Sequence, residues 1–357
     1  MNALVRALQR LVHGADLDEA EAFAAVDIIM SGEATDAQIG GFLTALRMKG
    51  ETADELTGAA RAMRARVVPV RHHLPRVVDT CGTGGDGALT FNVSTAVAFV
   101  VAGAGVPVAK HGNRAVSSSV GSADVLEALG VNIDLDAARV AESLDRTRLG
   151  FMFAPRHHGA LKHAGAARRQ LGFRTIFNLL GPMTNPAGAT RQLLGIFDAR
   201  RVKMVAEVLR RLGLERALVV HGPDGLDELG LHGPSKAALL EEGHVRELTI
   251  DPAALGLEPA PLDALRGGDA MANAAIIREL LGGRGGPHAD VVALNAAAAL
   301  WVAGESHSLT EGLHRAREVL ASGAGLVVLD ALIIETNRET NRETNRDTSA
   351  ATAEAKA

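Results

Sequence analysis

The sequence predicts an α/β protein, with a small all-α N-terminal domain followed by a larger domain in which helices flank a mostly parallel sheet. Three observations carry this expectation. Residues 1–66 place apolar residues at helical spacing and show no strand pattern. After residue 75, short apolar runs alternate with helical stretches, the signature of a sheet covered on both faces. A chain of 357 residues also suits two domains, at about 150 residues each.

In the first block, Leu4, Val5, Leu8, Leu11 and Val12 share a helical face. Three later helix starts carry capping boxes: Asp18 with Glu21, Thr35 with Gln38, and Thr52 with Glu55. Gly50 is placed to end the third helix. Val67–Pro75 reads as a linker containing His72 and His73. Strands are expected at Arg76–Cys81, Val106–Ala109, Gly150–Ala154, Gln192–Asp198 and Arg216–Val220. An antiparallel excursion is expected at Ala237–Leu240 and Val245–Ile250, turning at Glu241–His244. Ala289–Ala303 and Thr310–Leu320 read as long closing helices. The domains are accordingly 1–70, helical and joined by helices near 165–185; 71–334, α/β; and 335–357, a disordered tail that opens with three copies of Glu-Thr-Asn-Arg.

Composition excludes several classes of function. Aromatic residues make up only 3%, with no Tyr and a single Trp301, so stacking on bases is not a main mode of action. A net charge of −5 argues against a nucleic-acid binder. The lone Cys81 forbids an internal disulfide and suits a reducing cytosol. Arg6 and Arg10 interrupt the N-terminus, so no signal peptide is expected. Val93–Ala109, the longest uncharged stretch, contains Gly103, Gly105 and Pro107 and reads as a buried helix followed by a strand, not a membrane span. A soluble, cytoplasmic protein is expected.

Two polar loops follow strands. The first, Asp79-Thr-Cys-Gly-Thr-Gly-Gly-Asp-Gly87, is a glycine-rich turn whose backbone N–H groups can converge on an anion. It lacks the Gly-Lys-Ser/Thr of a P-loop. Gly82, Gly84 and Gly87 satisfy a dinucleotide-binding spacing. However, Leu89–Thr95 intervenes before the helix, and the next strand ends in Lys110-His111 where an acidic residue is required. Asn92, Ser94 and Thr95 sit at the mouth of the following helix, a place that favours anions, although Ser94 serves equally well as a plain cap. The second loop, Lys110–Ser122, gathers cations, an amide and hydroxyls at a corresponding strand end.

At this point the sequence resembles the anthranilate phosphoribosyltransferase family. The resemblance rests on Gly82-Thr-Gly-Gly-Asp86, Asn92-Val-Ser-Thr95, Lys110–Ser118, Gly121-Ser-Ala-Asp124, Arg168–Gly172, Thr175–Pro186 and Gly225-Leu-Asp-Glu228, and it extends to about Leu332. It implies transfer of phosphoribose from 5-phosphoribosyl 1-diphosphate to the anthranilate amine, in tryptophan biosynthesis. In the first loop it implies donor contacts by Gly82, Gly85, Asp86, Thr90, Asn92, Val93, Ser94 and Thr95. In the second it implies Lys110, His111, Gly112, Asn113, Arg114, Ala115, Val116, Ser117 and Ser118, with Ser122 beyond them. Gly82, Asn113, Arg168 and His111 would face anthranilate. Ser94, Asp227 and Glu228 would serve magnesium, with two ions per subunit, and the N-terminal helices would form a homodimer. Gly159 replaces an expected proline, and Ser119 an expected lysine.

The residue types suit that chemistry. Adjacent carboxylates plus diphosphate oxygens make a magnesium site, although an isolated Asp-Glu pair is usually a solvated turn. The acceptor amine is neutral at pH 7, so positioning and charge stabilisation suffice without a dedicated base. His111 is a possible proton acceptor and equally a packed polar residue. Arg168 suits a carboxylate through two parallel hydrogen bonds, with Arg169 and Arg174 as competitors. A pyrimidine-nucleoside phosphorylase, a fold this chain also resembles, is disfavoured by Asn113-Arg114 and Asp227-Glu228. A nucleic-acid-binding relative is disfavoured by charge and composition.

Overall fold

The computed structural model describes residues 2–85, 87–115 and 120–338. Asp86, Val116, Ser117, Ser118 and Ser119 lie outside the described residues, as does the chain from Glu339 onward.

The chain opens with α1 (Ala3–Val12), α2 (Glu19–Ser31), α3 (Asp36–Lys49) and α4 (Ala53–Arg64). All three capping boxes form: Asp18 Oδ1 accepts from Glu21 N at 2.8 Å, and the Glu21 carboxylate answers at Asp18 N at 3.0 Å. Each satisfies backbone donors that the first turn leaves free, worth about 1 kcal/mol. Glu55 does more than cap. Buried at 1% exposure, it also accepts from Leu17 N at 3.0 Å and Lys49 Nζ at 3.0 Å, tying α3 and α4 to the connection before α2.

The α/β part continues with β1 (Val78–Gly82), α5 (Val93–Gly103), β2 (Val108–Gly112), α6 (Ser122–Ala128), α7 (Ala137–Thr147), β3 (Leu149–Phe153), α8 (Ala154–His157), α9 (Lys162–Leu171), α10 (Phe177–Leu180), β4 (Arg191–Gly195), α11 (Val202–Arg211), β5 (Arg216–His221), β6 (Ser235–Glu241), β7 (His244–Ile250), α12 (Ala270–Leu281), α13 (Pro287–Ala303), α14 (Leu309–Ser322) and α15 (Ala324–Thr336). One sheet has the order β3-β2-β1-β4-β5-β6-β7, with β1 to β5 parallel and β6 and β7 antiparallel. The expected hairpin is therefore present.

Alternate residues of the central strands feed two cores. Leu193, Leu218, Val220, Ala237 and Leu239 pack with α5 and α13, while Leu194, Val219, Ala238 and Leu240 share a core with α11 and the N-terminal helices. Both faces are apolar, as a sheet covered on both sides requires. Helix α9 packs on α2 and α3. Among the described residues no single helix is long and apolar enough to cross a membrane.

Two expectations need correction. Strand β2 spans Val108–Gly112 where Val106–Ala109 was expected, and its Lys110, His111 and Gly112 pair with Phe151, Met152 and Phe153 of β3. The apolar pattern stops at Ala109, but the ladder needs only backbone, and the Lys110 and His111 side chains are both buried. The first Glu-Thr-Asn-Arg unit, expected in a solvated tail, instead closes α15. Glu335, 8% exposed, pairs with Arg139 of α7 at 3.2 Å; Asn132 N donates to Thr336 Oγ1 at 3.2 Å; and Asn337 Nδ2 donates to the Gly130 carbonyl at 3.0 Å. Arg139 also pairs with Glu142 at 2.6 Å, so losing Glu335 removes its buried partner and leaves an exposed one. Glu335→Ala should therefore lower unfolding free energy by about 2 kcal/mol in urea titration, and an unchanged midpoint would show that the pair does not hold α15.

Candidate active site

From β1 the chain moves outward to β2 and β3, then returns to β4 on the other side of β1. In such sheets ligands bind beyond the carboxyl ends of the strands where the order reverses. The glycine loop leaves β1 at this reversal. Thr83 N donates to the Gly195 carbonyl at 3.0 Å, and Phe197 N to Thr83 Oγ1 at 3.2 Å, anchoring the loop across the ends of β1 and β4. Gly84 and Gly85 take φ of 67° and 69°, a region that suits glycine.

Asp227 lies against this loop. Its Oδ2 accepts from Gly84 N at 2.6 Å. A Cβ on Gly82 would strike that same carboxylate, and a Cβ on Gly195 would strike the Asp227 carbonyl. The two glycines thus make the space that the 226–228 segment occupies. Glu228 beside it is half-buried.

Lys110, 3% exposed, crosses from β2 beneath the loop. Its Nζ donates to the Thr80 carbonyl at 2.6 Å and to Ser94 Oγ at 3.2 Å. Burial depresses its pKa, opposed by the negative charges of Asp79, Glu228 and Asp227. Lysine, Ser94 and the carboxylate pair therefore share one electrostatic neighbourhood. Ser94 does not cap α5: the cap position is Asn92, with no side-chain capping bond.

The second loop is organised by Asp124, which accepts from Gly121 N at 2.9 Å and Ala115 N at 3.1 Å. Arg114 is committed to this scaffold: its guanidinium pairs with Asp124 at 2.9 Å and Glu127 at 2.5 Å and lies 5.6 Å over Phe153. Asn113 turns its carbonyl to Ser122 Oγ at 3.4 Å, and a Cβ on Gly112 would strike that same hydroxyl. Thr90 forms a bridge with Arg266, while Val93 and Thr95 are buried in the first turn of α5.

His111 faces a second polar cluster. Burial, reinforced by His158 and His157, holds its pKa well below the usual imidazole value, so the ring is neutral at pH 7. The ring bonds the Gly181 backbone and lies 4.8 Å from His158, and Nε2 has no hydrogen-bond partner among the described residues. Arg168 on α9 is half-buried, with its guanidinium 5.3 Å over Phe177, and burial lowers its pKa. Its competitors differ: Arg169 is exposed, and Arg174 lies 4.1 Å over Phe197.

Comparison with known proteins fits this arrangement. Residues 74–326 match the model of the glycosyl transferase family, a/b domain, and residues 5–67 that of its helical bundle domain. The anthranilate phosphoribosyltransferase of Moorella thermoacetica is 55% identical over 326 residues, covering 91% of this chain and 96% of that protein. That of Azospirillum brasilense is 54% identical, covering 92% of each. The chain belongs to the anthranilate phosphoribosyltransferase family. Among solved structures, the family member from Thermus thermophilus superposes with a TM-score of 0.88 at 45% identity, covering 93% of this chain and 99% of that one. A Saccharomyces cerevisiae member, in complex with PRPP and Mg, gives 0.85 at 27% identity, covering 94% and 98%.

Sequence reading missed the polar layer under the family site. Asp79, fully buried, accepts from Asn185 Nδ2 at 2.8 Å, Gln192 Nε2 at 3.4 Å and His111 N at 3.4 Å. These residues join β1, β2 and β4 with the segment after α10. An acidic residue inside an apolar strand was the available signal, because a buried carboxylate needs partners. Burial raises its pKa from 3.8 to about 6, against the pull of the Asn185 bond and Lys110. A folded pKa above the unfolded one means that this group's stability contribution is full below 3.8 and is lost as pH rises through about 6. Asp79→Asn cannot ionise. Its urea midpoint relative to wild type should therefore be higher at about pH 7.5 than at about pH 5, and equal differences at both would show that Asp79 does not titrate there.

Proposed function

We propose that this protein is an anthranilate phosphoribosyltransferase, which moves phosphoribose from 5-phosphoribosyl 1-diphosphate to the anthranilate amine and yields N-(5-phosphoribosyl)anthranilate and diphosphate in tryptophan biosynthesis. The observation that carries the reading is the seat of Asp227 on the glycine loop, at 2.6 Å from Gly84 N, beside Lys110 and Ser94.

The donor site is Gly82 to Gly85, Thr90 and Asn92 to Thr95 from the first loop, with Lys110 to Ala115 and Ser122 from the second. Asp86 and Val116 to Ser118 belong to the same proposal by sequence. The oxygens of Asp227, Glu228 and Ser94 are hard donors of the kind magnesium takes alongside phosphate and water, so this set fits magnesium, and the family resemblance implies two such ions per subunit. Bound there, magnesium would neutralise the diphosphate and make it a better leaving group. Lys110 adds a buried positive charge, which counts for more than an exposed one. Arg168 receives the anthranilate carboxylate, since it is half-buried and has no ion pair among the described residues. That His111 is neutral and that its Nε2 has no hydrogen-bond partner among the described residues support it as the acceptor of the amine proton, although positioning and charge stabilisation carry the reaction without a dedicated base. Exposed Val12 and Met48 on α1 and α3 suit a homodimer through the N-terminal helices, and the cytoplasm is the compartment this chemistry fits.

The test follows anthranilate fluorescence as phosphoribosyl diphosphate is added with and without magnesium. Signal should fall only with both present, and a fall that needs inorganic phosphate instead would overturn the assignment. In the same assay Asp227→Asn with Glu228→Gln should cut kcat by at least about 100-fold and raise the magnesium midpoint. Wild-type rate and midpoint would remove these carboxylates from the metal site. Arg168→Ala should raise the anthranilate KM by roughly 10- to 100-fold, the loss of a charged hydrogen bond, with kcat less affected. An unchanged KM would move that role to Arg174.

A further inference from the structure

Asn273 is a buried amide, 2% exposed, in the first turn of α12. Its Oδ1 accepts from Gly268 N at 2.7 Å, and its Nδ2 donates to Asn92 Oδ1 at 3.0 Å. Asn92 in turn donates from Nδ2 to the Val120 carbonyl at 3.2 Å. One unbroken line of amides therefore joins the start of α12, the end of the glycine loop and the end of the second loop. The backbone reinforces it: Phe91 N donates to the Leu265 carbonyl at 3.0 Å and Gly267 N to the Leu89 carbonyl at 3.0 Å.

The direction of this line matters. An amide has one accepting end and one donating end. A backbone N–H at Gly268 only donates, so it draws Oδ1 of Asn273 and turns Nδ2 toward Asn92. Asn92 must then present Oδ1 to Asn273 and its NH2 to the loops. One of those two N–H bonds goes to Val120, and the other is the group that a bound anion can take. We infer that Asn273 is a positioning residue for donor binding, fixing the Asn92 amide so that an N–H, not an oxygen, meets the phosphate-bearing substrate. The inference deepens the donor site proposed above and rests on Asn92 belonging to it.

A double-mutant cycle on the full-length enzyme tests it, with Asn92→Ala, Asn273→Ala and the pair. Each single variant should raise the KM for phosphoribosyl diphosphate about tenfold, while kcat and the anthranilate KM stay within about twofold. The pair should be no worse than Asn92→Ala alone. Multiplying effects, an unchanged donor KM in Asn273→Ala, or a joint loss of kcat and both KM values with a lowered Tm would overturn the inference. An Asn92→Ala variant with unchanged donor KM would instead sink the donor-site reading itself, and the inference with it. If Asn273→Ala does not fold, Asn273→Asp replaces it, because a carboxylate keeps the Gly268 bond and sets an oxygen where the donor to Asn92 stood. It should show the same rise in donor KM with a Tm lowered by the buried charge, and a wild-type donor KM would overturn the inference.

Discussion

The site depends on the close approach of Asp227 to the glycine loop. The Asp227 carboxylate can reach this backbone only because Gly82 carries no Cβ, and the Asp227 carbonyl can pass beside β4 only because Gly195 carries none. The contact holds two separate strand ends together, since Gly82 closes β1 and Gly195 closes β4. It also sets the charge balance, because the negative pair sits where buried Lys110 feels it. Loop shape and electrostatics are thus the same contact viewed twice.

Beneath that contact lies a second, neutralising layer. Lys110 and Asp79 are both buried, and each makes the other's charge less costly. Neither faces open water, so their partners are fixed: the Thr80 carbonyl and Ser94 for the lysine, Asn185 and Gln192 for the aspartate. A rigid base of this kind keeps the loops above from reorganising around each charge they meet, which is how preorganised sites gain strength.

Much of this was legible in the chain. Capping boxes, the hairpin and the long closing helices follow from local rules in which the deciding residues lie within a few positions of each other. The glycine loop and the Lys110 segment were recognisable because their residue types are costly anywhere but at a site. Legibility failed where the partner is distant. Nothing near Asn92 announces Asn273, which lies 181 positions away, and nothing near Asp79 announces Asn185. The end of β2 was misjudged because its last residues are polar while their ladder is intact. The pairing of Arg114 with Asp124 and Glu127 is equally out of view, because only the fold of α6 creates it.

The Glu-Thr-Asn-Arg motif occurs three times in tandem, and the copy that begins at Glu335 is locked to α7. Because the units are identical and contiguous, losing or gaining one leaves the same four residues after Ile334. A gain or loss of one unit therefore changes the length of the terminus in steps of four and keeps the residue types that pair with α7.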